Sequence, residues 1–274
     1  MKIEERIVGL DHAVTTGRYA SWHFDELELR SFLLTSAKGM TAWFKSKEEE
    51  AEREGRKSFD RDTYPGLAAY NSFMDETGIF WEQYWQQLSA AVIKDAFTLF
   101  EVFLEESAHD LLRRYGSGLK KLSTEGTWLL HQCNSFYEDY VGVTITTPEI
   151  ENIQWIRNKL SHLRNSFRTV EGKNEFADKV TALGIRGIES SDEEGWGLPN
   201  QDHDANSLMT GSLVLSPLES WRILDILRKN VEALTLVLHG IQYGSKTTPA
   251  LDDLRAGKTV EKKRDEKLLS VPVP

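Results

Sequence analysis

Apolar residues spaced at threes and fours over two long stretches constrain this chain more than any other feature. Leu27, Phe32, Leu33, Ala37, Met40 and Phe44 line one such stripe, and Ile93, Phe97, Phe100, Leu104, Ala108 and Leu111 line another. That spacing puts apolar side chains on one face of a helix and rules out the alternation of a half-buried strand. The first stripe predicts a helix from about Asp25 toward Arg56. The second predicts a helix over about Asp75–Tyr115, ended by Gly116-Ser117-Gly118. Between them, Gly55 through Gly66 with Pro65 reads as a loop, and the run Glu48-Glu49-Glu50 reads as a solvated helix end.

Shorter elements follow. Thr127–Tyr140 suits a short helix. Thr146-Thr147-Pro148-Glu149 is a helix start, with a hydroxyl cap, a proline in the first turn and an acid near the positive helix end. The helix it opens runs to about Phe167. Residues 170–215 read as a polar insertion, with a β-hairpin drawn between Gly184–Ile188 and Ser212–Leu215. Ser216-Pro217-Leu218-Glu219 is a capping box that opens a last helix, which stops at Gly240. The polar stretch beyond Ser245 reads as a mobile tail. The expected architecture is all-α. An irregular segment covers 1–24, a helical domain 25–243 holds the 170–215 insertion, and a tail covers 244–274.

Composition narrows the function classes. A net charge of −10 disfavours broad, non-specific nucleic-acid binding, which needs basic surface, yet it leaves room for a local basic patch. The single Cys133 excludes an internal disulfide and a cysteine-rich zinc site, and fits a reducing, cytoplasmic setting. No apolar run approaches the roughly 20 residues that cross a bilayer. Asp202-His203-Asp204 lies in a polar loop without a further ligand, and His131 with Cys133 makes at most half a metal site, so no metal or cofactor is expected.

The chemistry concentrates in Trp155-Ile156-Arg157-Asn158-Lys159-Leu160-Ser161-His162. Arginine holds a phosphate at any working pH, and histidine exchanges a proton near neutrality. Arg6 with His12 and Arg18 with His23 have similar spacing, but glycines at 9 and 17 interrupt any helix there, so they read as decoys. On the third helix Ile153, Ile156, Leu160, Leu163 and Phe167 share the core face. Arg157, Ser161, Arg164 and Arg168 line one flank, suited to follow a sugar–phosphate backbone. Trp155, Asn158 and His162 face away from the core. Trp155 therefore needs a cover, from another part of this chain or from a second copy. Arg157 and His162 point about 140° apart on an ideal helix, so a site shared across a dimer would bring them together. Glu101, on the edge of the second stripe, needs a partner that Arg157 or His162 would supply if the two helices pack.

Arg157-Asn158-Lys159-Leu160-Ser161-His162, together with Phe100-Glu101-Val102-Phe103-Leu104 on the preceding long helix, resembles the HEPN superfamily of all-α domains found in bacterial toxins and defence proteins. The likeness covers about residues 25–240 by helix order and these two segments by residue. It implies a helical bundle and a metal-independent endoribonuclease with Arg157 and His162 catalytic and Asn158 and Glu101 supporting. It also implies a homodimer pairing two motif helices, RNA as substrate, and a cognate antitoxin or defence partner. In one subgroup a tyrosine two residues beyond the histidine is modified; here that position is Arg164, so that control is not carried over. The alternative is a non-catalytic module of the same kind that binds a nucleotide, RNA or a protein.

Overall fold

The computed structural model describes residues 9–58, 64–115, 128–162, 169–185, 215–244 and 246–256. They are helical, and no strand occurs among them. A 3₁₀ turn, His12–Val14, precedes α1 (Gly17–Ser58), α2 (Pro65–Thr77), α3 (Trp81–Tyr115) and α4 (Leu130–Phe136), which runs into a π-helical turn, Tyr137–Val141. Then follow α5 (Pro148–His162), α6 (Val170–Ala182), α7 (Pro217–Gln242) and α8 (Pro249–Arg255). The all-α expectation holds for the described residues. Of the drawn hairpin, 186–188 and 212–214 lie outside them.

Several element boundaries differ from the sequence reading. α1 starts at Gly17, eight residues before Asp25, because Thr16 caps it by accepting from the Tyr19 amide, and Tyr19 and Trp22 are buried. Gly17 sits in the first turn, where its lack of a side chain costs little. The second long helix begins at Trp81, not near Asp75, and Asp75–Thr77 belong to the end of α2. Gly78 adopts φ 74°, the left-handed conformation that closes α2 before α3 begins. Pro65, read as a loop residue, opens α2. Val170–Ala182, assigned to the insertion, is a helix capped by Thr169, with Phe176 and Val180 buried one turn apart. Part of the tail is also structured: Leu251 of α8 is buried, and the Thr248 hydroxyl donates to the Tyr140 carbonyl at 2.6 Å.

α3 and α7 form the centre of the bundle. α3 packs on α1, α5 and α7, and α7 also packs on α1. The Ser216–Glu219 capping box is formed in both directions, and the Ser89 hydroxyl donates to the Leu215 carbonyl at 2.6 Å, which pins the start of α7 to α3. α1 is 42 residues long, about 63 Å at 1.5 Å per residue. Its far half meets α2 and the start of α3 through an aromatic cluster: Phe44, Phe73 and Trp85 each lie within 5.3 Å of the Trp81 ring centroid.

Its near half meets α7 through buried charge. Arg30 donates to Glu26 on its own helix and to Asp225 on α7, with its guanidinium 4.6 Å from the Trp221 ring centroid. Arg228 lies 4.0 Å from Glu26, and Tyr19 donates to Glu232 at 3.0 Å. Burial raises the Glu26 carboxyl above its ordinary range against the opposing pull of Arg30.

Candidate functional site

α5 carries the arginine–histidine segment, and its frame follows from local contacts. The side-chain oxygen of Asn134 accepts from the amides of Ile145 and Thr146 at 2.7 and 2.9 Å, fixing the approach to the helix. Thr147 caps it through the Ile150 amide. Ile150, Ile153, Ile156 and Leu160 are fully buried, so the core face read from the periodicity is the observed one; Leu163 and Phe167 lie outside the described residues.

With that stripe docked on α3, Arg157 meets Glu101. Its Nη2 donates to Glu101 Oε2 at 3.4 Å and its Nη1 to Asn158 Oδ1 at 3.0 Å, and the guanidinium lies 5.7 Å from the Phe97 ring centroid. Both charged side chains keep some access to solvent, 29% for Arg157 and 23% for Glu101. Burial pushes the Glu101 carboxyl up from its ordinary range, and the Arg157 charge partly offsets this. The guanidinium is thus held at both ends over an aromatic ring, with donors left for a ligand.

The structure therefore brings together Arg157, Asn158 and Glu101. Ser161 does not join them, since its hydroxyl donates back to the Arg157 carbonyl at 2.8 Å. His162 closes α5; its side chain, like Arg164 and Arg168, lies outside the described residues. Trp155 receives its cover from this chain. It packs on Phe176 of α6 with ring centroids 6.4 Å apart, and the Lys159 ammonium sits 4.7 Å from its ring centroid. Lys179 of α6 donates to Asn152 at 3.0 Å and completes that seam.

The other sequence candidates separate. Arg18 is bound to Asp110 and Glu106 on α3. His23 stacks on Tyr19 at 5.5 Å, and burial beside Arg228 holds its pKa below the ordinary histidine value. His131 is exposed whereas Cys133 is buried, so they do not form half a site. Burial and the neighbouring Glu105 and Glu101 carboxylates push the Cys133 thiol up to about 12. No cluster of three metal-ligating side chains occurs among the described residues, and Asp202-His203-Asp204 lies outside them. None of the helices described is long and apolar enough to cross a membrane.

Sequence reasoning missed the Glu26–Arg30–Asp225–Arg228 network. Its signal was available: Glu26 and Arg30 stand four apart on the face that also carries Trp22 and Leu33. Compared with protein-family models, with curated proteins and with solved structures, the chain matches none.

Proposed function

We propose that the chain is a metal-independent endoribonuclease of toxin or defence type, with the HEPN-like segment of α5 as its active site. The observation that supports this most is Arg157, a partly exposed arginine steadied by Glu101 on one side and Asn158 on the other, five residues before a histidine. An arginine that served only to pair with a core carboxylate would not need a second polar neighbour and residual access to solvent.

In this reading the ribose 2′-hydroxyl attacks the adjacent phosphorus and the 5′-oxygen of the next nucleotide leaves. The products are a 2′,3′-cyclic phosphate and a 5′-hydroxyl. His162 moves the protons, as general base or acid. Arg157 stabilises the charge that builds on the phosphoryl oxygens. Glu101 and Asn158 hold the guanidinium in place. Arg164, Arg168 and Ser161 flank the path of the RNA backbone. DNA is spared because it lacks the attacking hydroxyl.

α5 is regular to His162, so five residues separate the two groups by about 7.5 Å along the axis and about 140° around it. That divergence favours a composite site in which Arg157 of one copy and His162 of another act on one phosphate, in a homodimer; Trp155 lies at its margin. A cognate antitoxin or defence partner would restrain the activity.

The test is product chemistry. The parent should cut single-stranded RNA and leave cyclic phosphate ends, a matched DNA should stay intact, and Arg157→Ala should lower the rate by about a hundredfold or more, as removal of a transition-state donor does. Cleavage of the DNA, or a fully active Arg157→Ala protein, would refute the assignment.

A further inference from the structure

The side of α5 turned from Arg157 carries a second constellation, where α6 packs on it. Trp155 stands two residues before Arg157, about 160° around the helix, and is half-buried. The Phe176 ring of α6 lies 6.4 Å away, centroid to centroid, tilted by 37°. The Lys159 ammonium stands over the indole, 4.7 Å from its centroid. One flexible, charged side chain, rather than the core, therefore covers that face of the ring.

Two lysines bracket the indole. Asn152, Trp155 and Lys159 follow one another at steps of three and four residues and so form one row on α5. Phe176 and Lys179, three residues apart on α6, meet Trp155 and Asn152 in turn, with Lys179 donating to Asn152 Oδ1 at 3.0 Å. Lys159 and Lys179 thus lie on either side of Trp155. Their positions along α5 are marked by residues 159 and 152, seven residues or about 10.5 Å apart on the axis. Neither ammonium pairs with a carboxylate among the described residues, so both keep donors for a ligand. The acids of α6, Glu171, Glu175 and Asp178, are exposed and lie on its side away from the Phe176–Val180 stripe.

A cation, an aromatic face and a second cation in a row suit a single nucleic-acid strand, whose base stacks while its phosphates meet the cations. A lysine resting on an accessible ring is held more weakly than a base stacked there, so a base can take the place of Lys159 and free its ammonium for a phosphate. A base inside a duplex offers no free face, so the seam selects an unpaired nucleotide. An acidic peptide would use the lysines and leave the indole idle.

We propose that the α5–α6 seam is a docking platform for single-stranded RNA, with one unpaired base stacked on Trp155 and the phosphates on either side of it held by Lys159 and Lys179. The choice of RNA rests on the ribonuclease reading. The platform lies outside the Arg157–Glu101–Asn158 cluster and sets which stretch of strand is presented to it.

The test is fluorescence anisotropy of the full chain with a short single-stranded oligoribonucleotide carrying 2′-O-methyl groups throughout, which lacks the attacking hydroxyl and reports binding without cleavage. An abasic oligomer of the same length should bind the parent at least roughly tenfold more weakly, a comparison that needs no variant to fold. Trp155→Leu, which keeps an apolar side chain against Phe176, should weaken the base-containing oligomer roughly tenfold, and Trp155→Phe, which keeps a ring, should stay within about threefold of the parent. Lys159→Met and Lys179→Met should each weaken binding and lower the slope of log K against log salt by about 0.7, the share of one phosphate contact. Lys38→Met, at an exposed position on α1, should change neither, and poly-glutamate should not displace the oligomer. The proposal is overturned if the oligomer does not saturate, if the abasic oligomer or poly-glutamate binds as well, or if Trp155→Leu binds like the parent. It is equally overturned if Trp155→Phe binds no better than Trp155→Leu, if the seam lysine variants keep the parent's salt slope, or if Lys38→Met matches them. Failure of the ribonuclease reading looks different: unmodified RNA would stay intact while the oligomer still bound through Trp155, and the platform would stand.

Discussion

Arg30→Ala probes the buried charge between α1 and α7. Arg30 is 2% exposed, donates to Glu26 and to Asp225 at 2.8 Å, and packs against Trp221. Its removal leaves Glu26, equally buried, with Arg228 at 4.0 Å and His23 at 3.9 Å as its nearest cations or potential cations. Removing one partner of a buried pair costs about 3–5 kcal/mol because the other charge stays desolvated. A desolvated cation–π contact is worth about 2 kcal/mol, and since both losses concern one side chain they overlap rather than add. We take about 4 kcal/mol for the overlapping loss, and at about 2–4 °C per kcal/mol for a chain near this size Tm should fall by roughly 8–16 °C.

The loss should also depend on pH. Burial raises the folded pKa of Glu26, and Arg30 opposes that rise, so the variant carboxyl moves further up. A carboxyl with a raised folded pKa takes up its proton more readily folded than unfolded, so its destabilising effect is present above that pKa and relieved as pH falls through it. His23 acts in the same direction. Its folded pKa is lowered by burial, then by Arg228, with Arg30 a smaller contributor, so losing Arg30 lets it rise and makes acid less harmful to the variant than to the parent. Urea denaturation of both proteins at pH 7 and pH 5 should therefore show the larger difference at pH 7. The double variant Glu26→Gln with Arg30→Met should recover most of the loss, since no stranded charge remains. A loss under about 1 kcal/mol, an equal penalty at both pH values, or no recovery in the double variant would refute the reasoning.

Three smaller perturbations test the frame around the candidate site. Asn134→Ala strands the amides of Ile145 and Thr146 ahead of α5 and should cost about 2 kcal/mol in denaturant unfolding. Ser216→Ala breaks the capping box of α7 and should cost about 1 kcal/mol, with Glu219→Gln milder because the amide still reaches back to the Ser216 amide. Cys133, buried with its thiol pushed up to about 12, should resist alkylation at pH 8 in the folded chain and react at once in guanidinium; fast labelling of the native protein would contradict its burial.

Where sequence and structure agree, local chemistry and burial point the same way. Thr147-Pro148 and Ser216-Pro217-Leu218-Glu219 carry their caps in the sequence, and the Ile153–Ile156–Leu160 stripe has no competing polar residue, so α5 and α7 could be placed closely. Arg157 and Glu101 were legible as partners on condition that their helices packed, and α3 and α5 do pack. The misses have particular causes. Gly17 was read as a helix breaker, but it follows the Thr16 cap in a position that tolerates glycine. Gly78 lies inside an apolar period that runs from Phe73 to Trp85, and only its positive φ reveals the break. α6 hides its two buried residues, Phe176 and Val180, among Lys, Glu, Asp and Gly. The cover of Trp155 depended on that unrecognised helix, so sequence could name the need for a cover and leave its source open. Glu26 and Arg30 show in the sequence as a pair four apart on an apolar face, but their partners Asp225 and Arg228 come from the facing helix, which the sequence does not place.

The most direct test of the central claim is incubation of purified protein and its His162→Ala variant with mixed cellular RNA in EDTA, followed by electrophoresis. The account requires fragmentation by the parent, undiminished by the chelator, and intact RNA with the variant. Equal cleavage by both proteins, or cleavage that EDTA abolishes, would contradict a metal-independent site built on Arg157 and His162.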